Sequence, residues 1–401
     1  MTPEAVVPSR AQTPDTVVPS RAMTPETVVP FNRVLPAGNE LRYVYEAVAG
    51  GHIGGAGPFA ERCERALCDE TGSARALLTT SCTHALEMAC HLLDLGPDDE
   101  VILPSFTFVS TAASVALRGA IPVFADIRPD TLCLDESLLD DLLTERTKAI
   151  LLVHYSGVSC ELDEICAWAS TNGVAIVEDN AHGLFGSYRG RPLGSFGDLG
   201  TLSFHETKNL SCGEGGALLI NRPELVSRAE ILREKGTNRS SFMRGEVDKY
   251  TWVDLGSSWI PSDLLASFLW GQYERRHEIQ RQRHAVWDAY AERLEAWATA
   301  RGFRLPEIPP DREHPAHLFW VLAPTPEDRD RLLAHLASRG VHAVFHYVPL
   351  HSSAAGRRLG RAPLPLAVTD SISSRLVRLP LWAGMSDEMV DRVVEGVTSF
   401  G

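Results

Sequence analysis

Three neighbouring pieces of the sequence decide the fold class: VAIVEDNAH (residues 174–182), LGTLSFHETKN (199–209) and GEGGALLI (213–220). Each contains a short apolar run typical of a buried β-strand. Asp179 ends the first run, and Lys208 follows the second in a segment that reads as a loop. Loops and strand ends on a rigid sheet commonly carry catalytic residues. The pattern therefore predicts a sheet that holds Asp179 and Lys208 at its edge.

Apolar, β-branched runs alternate with helix-like segments over a wider part of the chain. This alternation predicts an α/β fold with a mainly parallel sheet between helices, and a ligand site beyond the carboxyl ends of the strands. The predicted strands cover residues 101–103, 122–125, 149–153, 174–177, 199–202 and 217–220, and the predicted helices cover 84–95, 138–143 and 162–170.

The residue pattern of the sequence changes at both ends of this region. A long helical pattern at 264–298 leads into a smaller α+β unit, with strands at 317–322 and 341–348 and helices at 326–339 and from 386. We therefore predict a large domain over 29–263 and a bridging helix with a small domain over 264–401. Before them, the motif TPEAVVP recurs with small changes every eleven residues. This proline-rich repeat predicts a disordered extension over residues 1–28.

Composition limits the classes of function. The formal net charge of −14 argues against nucleic-acid and anionic-membrane partners. The eight cysteines contain no Cys-x-x-Cys pair, the fourteen histidines have no metal-ligand spacing, and no run is long enough to span a membrane. We expect a cytoplasmic protein without a structural metal. The glycine cluster at 50–57 follows no predicted strand, so it predicts a flexible loop over the active site rather than a dinucleotide site.

The residues themselves indicate a cofactor. A lone lysine is usually a surface residue, and a lone aspartate at a strand end is often a turn former. Together with the glycine-rich stretch, however, Lys208 and Asp179 indicate a pyridoxal phosphate site. The lysine amine can hold the cofactor aldehyde as a Schiff base, and the carboxylate can keep the pyridine nitrogen protonated. Ser203 is a candidate for the phosphate.

These motifs resemble the DegT/DnrJ/StrS-type sugar aminotransferases, which are pyridoxal phosphate enzymes of fold type I, the aspartate aminotransferase fold. The resemblance extends from about Val29 to the C-terminus and is closest to dTDP-4-amino-4,6-dideoxyhexose transaminases. The segments that carry it are HYSGV (154–158), SFHETKN (203–209), REKGTNRS (233–240), VDKYTW (247–252) and FHYVPLH (345–351).

The resemblance implies a role for each cofactor residue. Lys208 matches the Schiff-base lysine, Asp179 the partner of the pyridinium nitrogen, and His182 the neighbour of the phenolic oxygen. Phe108 matches the aromatic side chain that stacks on the ring. The residues expected to hold the phosphate are Thr83, Cys82 and Ser203, the first of which lies at a predicted helix start that favours a dianion.

The resemblance also implies a homodimer with its active site at the subunit interface. Many relatives contribute an asparagine from the second subunit to the phosphate, and Ile260 occupies the matching position here. Two expectations stay open: either Ser257 or Ser258 makes this contact instead, or the contact is absent.

The implied reaction is a ping-pong transamination. L-Glutamate leaves as 2-oxoglutarate and converts the cofactor to pyridoxamine 5'-phosphate, which then aminates a dTDP-4-keto-6-deoxyhexose. The gluco and galacto products both remain open. His154, Tyr155, His346 and Tyr347 are candidates for binding the sugar. Four cations could bind the nucleotide diphosphate, although such a cluster is often only a solvated surface; they are Arg233, Lys235, Arg239 and Lys249.

The same fold serves other functions. A sugar 3-dehydratase has histidine in place of the lysine, so Lys208 argues against that chemistry. An enzyme that acts only on amino acids, or on another position of a keto-sugar, would keep the cofactor site. A non-catalytic regulator should have lost Lys208 or Asp179, and both residues are present.

Overall fold

The structure is a computed structural model that describes residues 28–401, so the predicted extension lies, apart from its last residue, outside the described residues. The strands are β1 (Arg75–Thr79), β2 (Glu100–Pro104), β3 (Ile121–Ala125), β4 (Thr147–Val153), β5 (Ala175–Asp179), β6 (Ser187–Tyr188), β7 (Arg191–Pro192), β8 (Leu199–Ser203), β9 (Gly216–Ile220), β10 (Arg312–Glu313), β11 (Phe319–Leu322), β12 (Val344–Phe345) and β13 (Leu376–Leu379). The α-helices are α1 (Glu40–Ala49), α2 (Pro58–Thr71), α3 (Cys82–Leu92), α4 (Val109–Leu117), α5 (Leu139–Leu142), α6 (Leu162–Asn172), α7 (Val226–Arg233), α8 (Arg239–Met243), α9 (Asp263–Glu274), α10 (Arg276–Arg301), α11 (Pro326–Ser338), α12 (Ala354–Leu359), α13 (Ala367–Arg375) and α14 (Asp387–Thr398).

Seven strands form the central sheet in the order β1-β9-β8-β5-β4-β2-β3. Strand β9 runs antiparallel to β1 and to β8, whereas the other neighbouring strands pair in parallel. The predicted α/β class with a mainly parallel sheet is thus confirmed. The polar residues that end β5 and β8 lie at the same edge because these strands run in the same direction.

Helices cover both faces of this sheet. Along β4, Ile150 and Leu152 pack in the same core as Leu162 of α6. Their neighbours Ala149 and Leu151 pack in the core that contains Leu86 of α3. This alternation follows from the two-residue period of a strand, and burial on both faces explains the continuous apolar runs.

A second, smaller sheet has the order β11-β13-β12. Its core includes side chains of α10, α11 and α14. The predicted strand at 341–348 is only two residues long here, and β13 was not predicted. Val29 packs in this second core and bridges to Val341, although the sequence suggested that it opens the large domain.

The single bridging helix predicted at 264–298 is two helices. Arg275 leaves the helical conformation between them, with φ −101° and ψ 12°. Helix α9 packs against α1 and α2, whereas α10 packs against α14. The chain passes from one set of packing partners to the other at this break. No proline or glycine stands beside the break in the sequence. Within residues 28–401, no helix is both long and apolar enough to cross a membrane.

Candidate active site

A cavity of about 470 Å³ opens at the carboxyl ends of the central strands. Val153, Asp179 and Ser203, the last residues of β4, β5 and β8, line it together with Lys208. The parallel sheet therefore brings together the residues predicted from the sequence. The glycine-rich 50–57 segment connects α1 and α2 and contributes no residue to this cavity.

Lys208 lies in the segment between β8 and β9, where its backbone N–H donates to the carbonyl of His205 at 2.9 Å. Burial of the ammonium group lowers the pKa of Lys208 to about 8, although Cys82 and Asp179 oppose the shift. Within the described residues its side chain has no hydrogen bond or ion pair. A lysine with a depressed pKa carries more of the neutral amine near neutral pH, and the neutral amine is the nucleophile.

Asp179 is buried at the end of β5. Its Oδ2 accepts a hydrogen bond from the Thr111 hydroxyl at 2.7 Å, and its Oδ1 accepts one from the Ala181 N–H at 3.3 Å. Burial nevertheless raises the pKa of Asp179, because these contacts and the charge of Lys208 only partly offset the desolvation of the carboxylate. A buried carboxylate that is incompletely compensated in this way is suited to accept a hydrogen bond from a further N–H donor in the cavity.

Aromatic rings form another wall. The ring of His182 stacks on that of His317, with centroids 4.3 Å apart. Burial lowers the pKa of both histidines well below the usual value, so both rings are neutral. Phe108 precedes α4, and 58% of its surface is exposed where it lines the cavity. The wall offers flat faces to a bound ring.

The start of α3 forms the anion-binding end. Ser81 caps this helix by accepting a hydrogen bond from the His84 N–H at 3.1 Å, and Cys82 and Thr83 follow it along the cavity. Gly216 packs so close that a Cβ atom there would lie 2.4 Å from the nitrogen of Cys82. The free N–H groups of a helix start attract a phosphate, so this end of the cavity fits one.

Two of the sugar candidates, His346 and Tyr347, line the cavity. Tyr155 lies behind them, fully buried, with its hydroxyl 3.0 Å from Nδ1 of His346. The prediction for His154 needs correction. Its ring is fully buried and lies 2.9 Å from the Glu178 carboxylate, so His154 supports strand β5 rather than a sugar.

The structure separates the members of the predicted cation cluster. Arg233 is buried and forms an ion pair with Glu64, so its charge is already neutralised. The remaining cations are exposed and lie outside the cavity of this chain; they are Lys235, Arg239 and Lys249. Ser257 and Ser258 are likewise exposed and outside it.

Sequence reasoning missed several other cavity residues, among them Phe31, His317 and Arg378. The first two lie in segments without a recognisable motif. Arg378 could have been noticed in the sequence, because it interrupts an apolar strand between Val377 and Leu379. Each of the three is far from Lys208 in the sequence, and folding alone brings them to it.

The donor set of the cavity fits pyridoxal phosphate: a reactive lysine, a buried carboxylate, flat neutral rings and an anion-binding helix start. These features define a class, the enzymes that hold this cofactor through a lysine. The chain belongs to the DegT/DnrJ/EryC1/StrS aminotransferase family, whose model matches residues 37–398. It is thus a pyridoxal phosphate-dependent sugar aminotransferase, which confirms the predicted enzyme class and cofactor.

Similar proteins agree with this assignment. The spore coat polysaccharide biosynthesis protein SpsC of Bacillus subtilis (strain 168) is 31% identical over 368 residues, covering 89% of this chain and 93% of SpsC. The aminotransferase TlmJ from Streptoalloteichus hindustanus is 32% identical, with a TM-score of 0.85 over 93% of this chain and 98% of TlmJ. Spr1654 from Streptococcus pneumoniae, solved in PLP and PMP forms, is 27% identical, with a TM-score of 0.85. The PLP-form match covers 93% of this chain and 98% of Spr1654.

Proposed function

We propose that this protein transfers the amino group of L-glutamate to a dTDP-linked 4-keto-6-deoxyhexose and releases the 4-amino-4,6-dideoxy sugar and 2-oxoglutarate. The observation that carries this proposal is that one cavity holds Lys208, Asp179 and the start of α3 beside His346 and Tyr347. The first three are suited to the cofactor, and the last two belong to one of the segments that resemble 4-keto-sugar transaminases. Imidazole and phenol groups suit the hydroxyl groups of a sugar.

The cofactor roles proposed for the chain follow from its contacts. Lys208 would hold the cofactor, Asp179 would accept a hydrogen bond from its ring nitrogen, and Ser203, Thr83 and the α3 start would hold its phosphate. The side chains of Phe108 and His182 would flank it. When bound, pyridoxal phosphate supplies an aldehyde that exchanges amino groups and a ring that accepts electrons.

Lys208 is the proposed acid–base group in both half-reactions. Its amine removes a proton from Cα of the donor and returns one to C4 of the sugar. A pKa of about 8 suits both transfers, because each protonation state of Nζ is populated near neutral pH. Desolvation raises the pKa of the half-buried Cys82 thiol to about 12, so it stays uncharged beside the lysine.

Product analysis tests the proposed substrate. The protein is incubated with pyridoxal phosphate, L-glutamate labelled with a heavy nitrogen isotope, and dTDP-4-keto-6-deoxyglucose. We expect a dTDP-sugar whose labelled amine is bonded to C4, observed by nuclear magnetic resonance. An amine at C3, or no transfer to this sugar while glutamate is consumed, would contradict the proposed substrate but leave the aminotransferase assignment intact.

We further propose that two copies of the chain form the active unit. An exposed apolar strip precedes Ser257 and Ser258, and it consists of Tyr250, Trp252, Val253 and Leu255, which are each more than half exposed. A strip of this kind indicates a contact surface. A second copy that covers it would also bury the two serines, in keeping with their proposed role at the partner's phosphate site.

Light scattering during gel filtration checks this proposal. We expect the wild type at about twice the chain mass of 43.9 kDa, and Trp252→Glu shifted toward a single chain, because the change places a charge in an apolar contact. Leu359→Glu is the control, since Leu359 is exposed on α12 and outside the strip. A wild-type protein that elutes as a single chain would refute the dimer.

A further inference from the structure

Arg378 is a cation that the proposed mechanism does not use. It is the third residue of β13 in the smaller sheet, and its side chain lines the same cavity as Lys208. The two groups are close enough for the charge of Arg378 to lower the pKa of Lys208. Within the described residues, no carboxylate lies within ion-pair distance of the guanidinium.

The hydrogen bonds of Arg378 leave one edge of the guanidinium free. Its Nη1 lies 3.1 Å from Nε2 of His346, and its Cζ lies 4.6 Å from the ring centre of Phe31. Nε is buried without a partner, and Nη2 has no hydrogen bond within the part of the chain that the structure describes.

His346 holds the other edge of Arg378 in place. Burial lowers the pKa of His346 well below its usual value, so the ring is neutral and has one N–H group. Nη1 can only donate, and it lies 3.1 Å from Nε2 and 3.3 Å from Nδ1 of His346, whereas the hydroxyl of Tyr155 lies 3.0 Å from Nδ1. The buried Tyr155 and the neutral ring therefore orient the guanidinium without neutralising its charge.

A guanidinium keeps its charge in proteins, and a buried charge without a counterion is costly. Burial lowers the pKa of Arg378 for this reason. The free edge presents Nε–H and an Nη2–H side by side, the arrangement that binds both oxygens of a carboxylate. Arg378 is therefore set up for a planar anion with a single charge.

We propose that Arg378 binds the carboxylate of the amino-acid donor, and of the keto acid that it becomes, through the Nε and Nη2 edge. This inference rests on the proposed function, in which the donor carries a carboxylate beside its reacting carbon. Among the described residues that line the cavity, Lys208 and Arg378 are the two lysine or arginine residues. A nucleotide diphosphate calls for several cations. A bound carboxylate would also neutralise a charge that lowers the pKa of Lys208, and so make the amine a better proton acceptor.

Three variants test the proposal. Arg378→Gln removes the charge, Arg378→Lys keeps the charge but not the two-pronged edge, and Arg358→Gln removes an exposed arginine on α12 as the matched control. The first half-reaction is followed by the loss of the absorption band of the lysine-bound cofactor during titration with L-glutamate. Calorimetry with 2-oxoglutarate on the pyridoxal phosphate form of each protein, which does not react with a keto acid, gives a second readout independent of turnover.

We expect Arg378→Gln to raise the half-saturating glutamate concentration about 30-fold or more, and Arg378→Lys by about 10-fold, because a two-oxygen contact to a charged group is strong. Both should weaken 2-oxoglutarate binding while leaving the half-saturating keto-sugar concentration unchanged, and Arg358→Gln should match the wild type. Retention of the cofactor band shows that a variant is folded.

Two results would overturn the proposal. One is an Arg378→Gln protein with wild-type affinity for glutamate and 2-oxoglutarate. The other is a variant in which only the half-saturating keto-sugar concentration rises, since Arg378 would then bind the sugar nucleotide. Either result would leave the proposed reaction standing. A wild-type protein that transfers nitrogen from no amino acid would instead overturn the proposed reaction, and this subsite with it.

Discussion

Replacement of Lys208 by alanine is expected to lower the rate of transamination by about 10⁴-fold or more, because one amine serves as both the covalent anchor and the acid–base group. The remaining cavity is intact in this variant, since the Lys208 side chain has no hydrogen bond within the described residues. Pyridoxal phosphate should therefore still bind through its phosphate at the start of α3. Its spectrum should be that of the free aldehyde and lack the band of the lysine-bound form.

Single-turnover kinetics and the visible spectrum measure the two effects separately. Lys148→Ala is the matched control, because Lys148 is an exposed lysine on β4 outside the cavity. It should keep both the band and the rate. A Lys208→Ala protein that turns over at the wild-type rate would refute the role assigned to this lysine.

Replacement of Asp179 by asparagine is expected to slow the first half-reaction by about 10²- to 10³-fold, the usual effect of losing one well-placed electrostatic group. Asparagine is nearly isosteric and can still accept the hydrogen bond from Thr111, so packing is retained while the negative charge is lost. Without that charge the nitrogen of the cofactor ring is no longer held protonated, and the ring accepts electrons less well.

Stopped-flow absorbance with L-glutamate gives this rate. Thr111→Val provides a graded comparison, since it keeps the carboxylate and removes the 2.7 Å hydrogen bond to it, together with the 3.0 Å contact between the Thr111 and Thr107 hydroxyls. We expect a loss of about 10-fold or less there, in line with about 1 kcal/mol for one hydrogen bond. Asp387→Asn, at an exposed position on α14, should have no effect. Equal rates for Asp179→Asn and the wild type would show that the carboxylate does not act on the cofactor.

Much of the fold could be predicted because its signals are local. The strands of a parallel sheet are buried on both faces, and their apolar runs were placed within a few residues of β2, β3, β4, β5, β8 and β9. Strand β1, with the sequence RALLT, was not predicted. The break at Arg275 separates two helices with different packing partners, and no proline or glycine stands beside it in the sequence.

The site residues also divide into those with a local sequence signal and those without one. Lys208 and Asp179 follow predicted strands, so a parallel sheet necessarily brings them to one edge. His154 and Arg233 were misread because their partners, Glu178 and Glu64, engage them only in the folded chain. Arg378 reaches the cavity from the smaller sheet, 170 residues after Lys208 in the numbering. Contacts between such distant segments have no sequence motif.

The most direct test of the account is a two-step titration followed by the visible spectrum. The protein reconstituted with pyridoxal phosphate should show the band of the lysine-bound cofactor, lose it on addition of L-glutamate, and regain it when dTDP-4-keto-6-deoxyglucose is added. That sequence of changes would establish both half-reactions in one sample. Bleaching by glutamate without recovery on addition of the keto-sugar would contradict the proposed acceptor, and the absence of any lysine-bound band would contradict the role of Lys208.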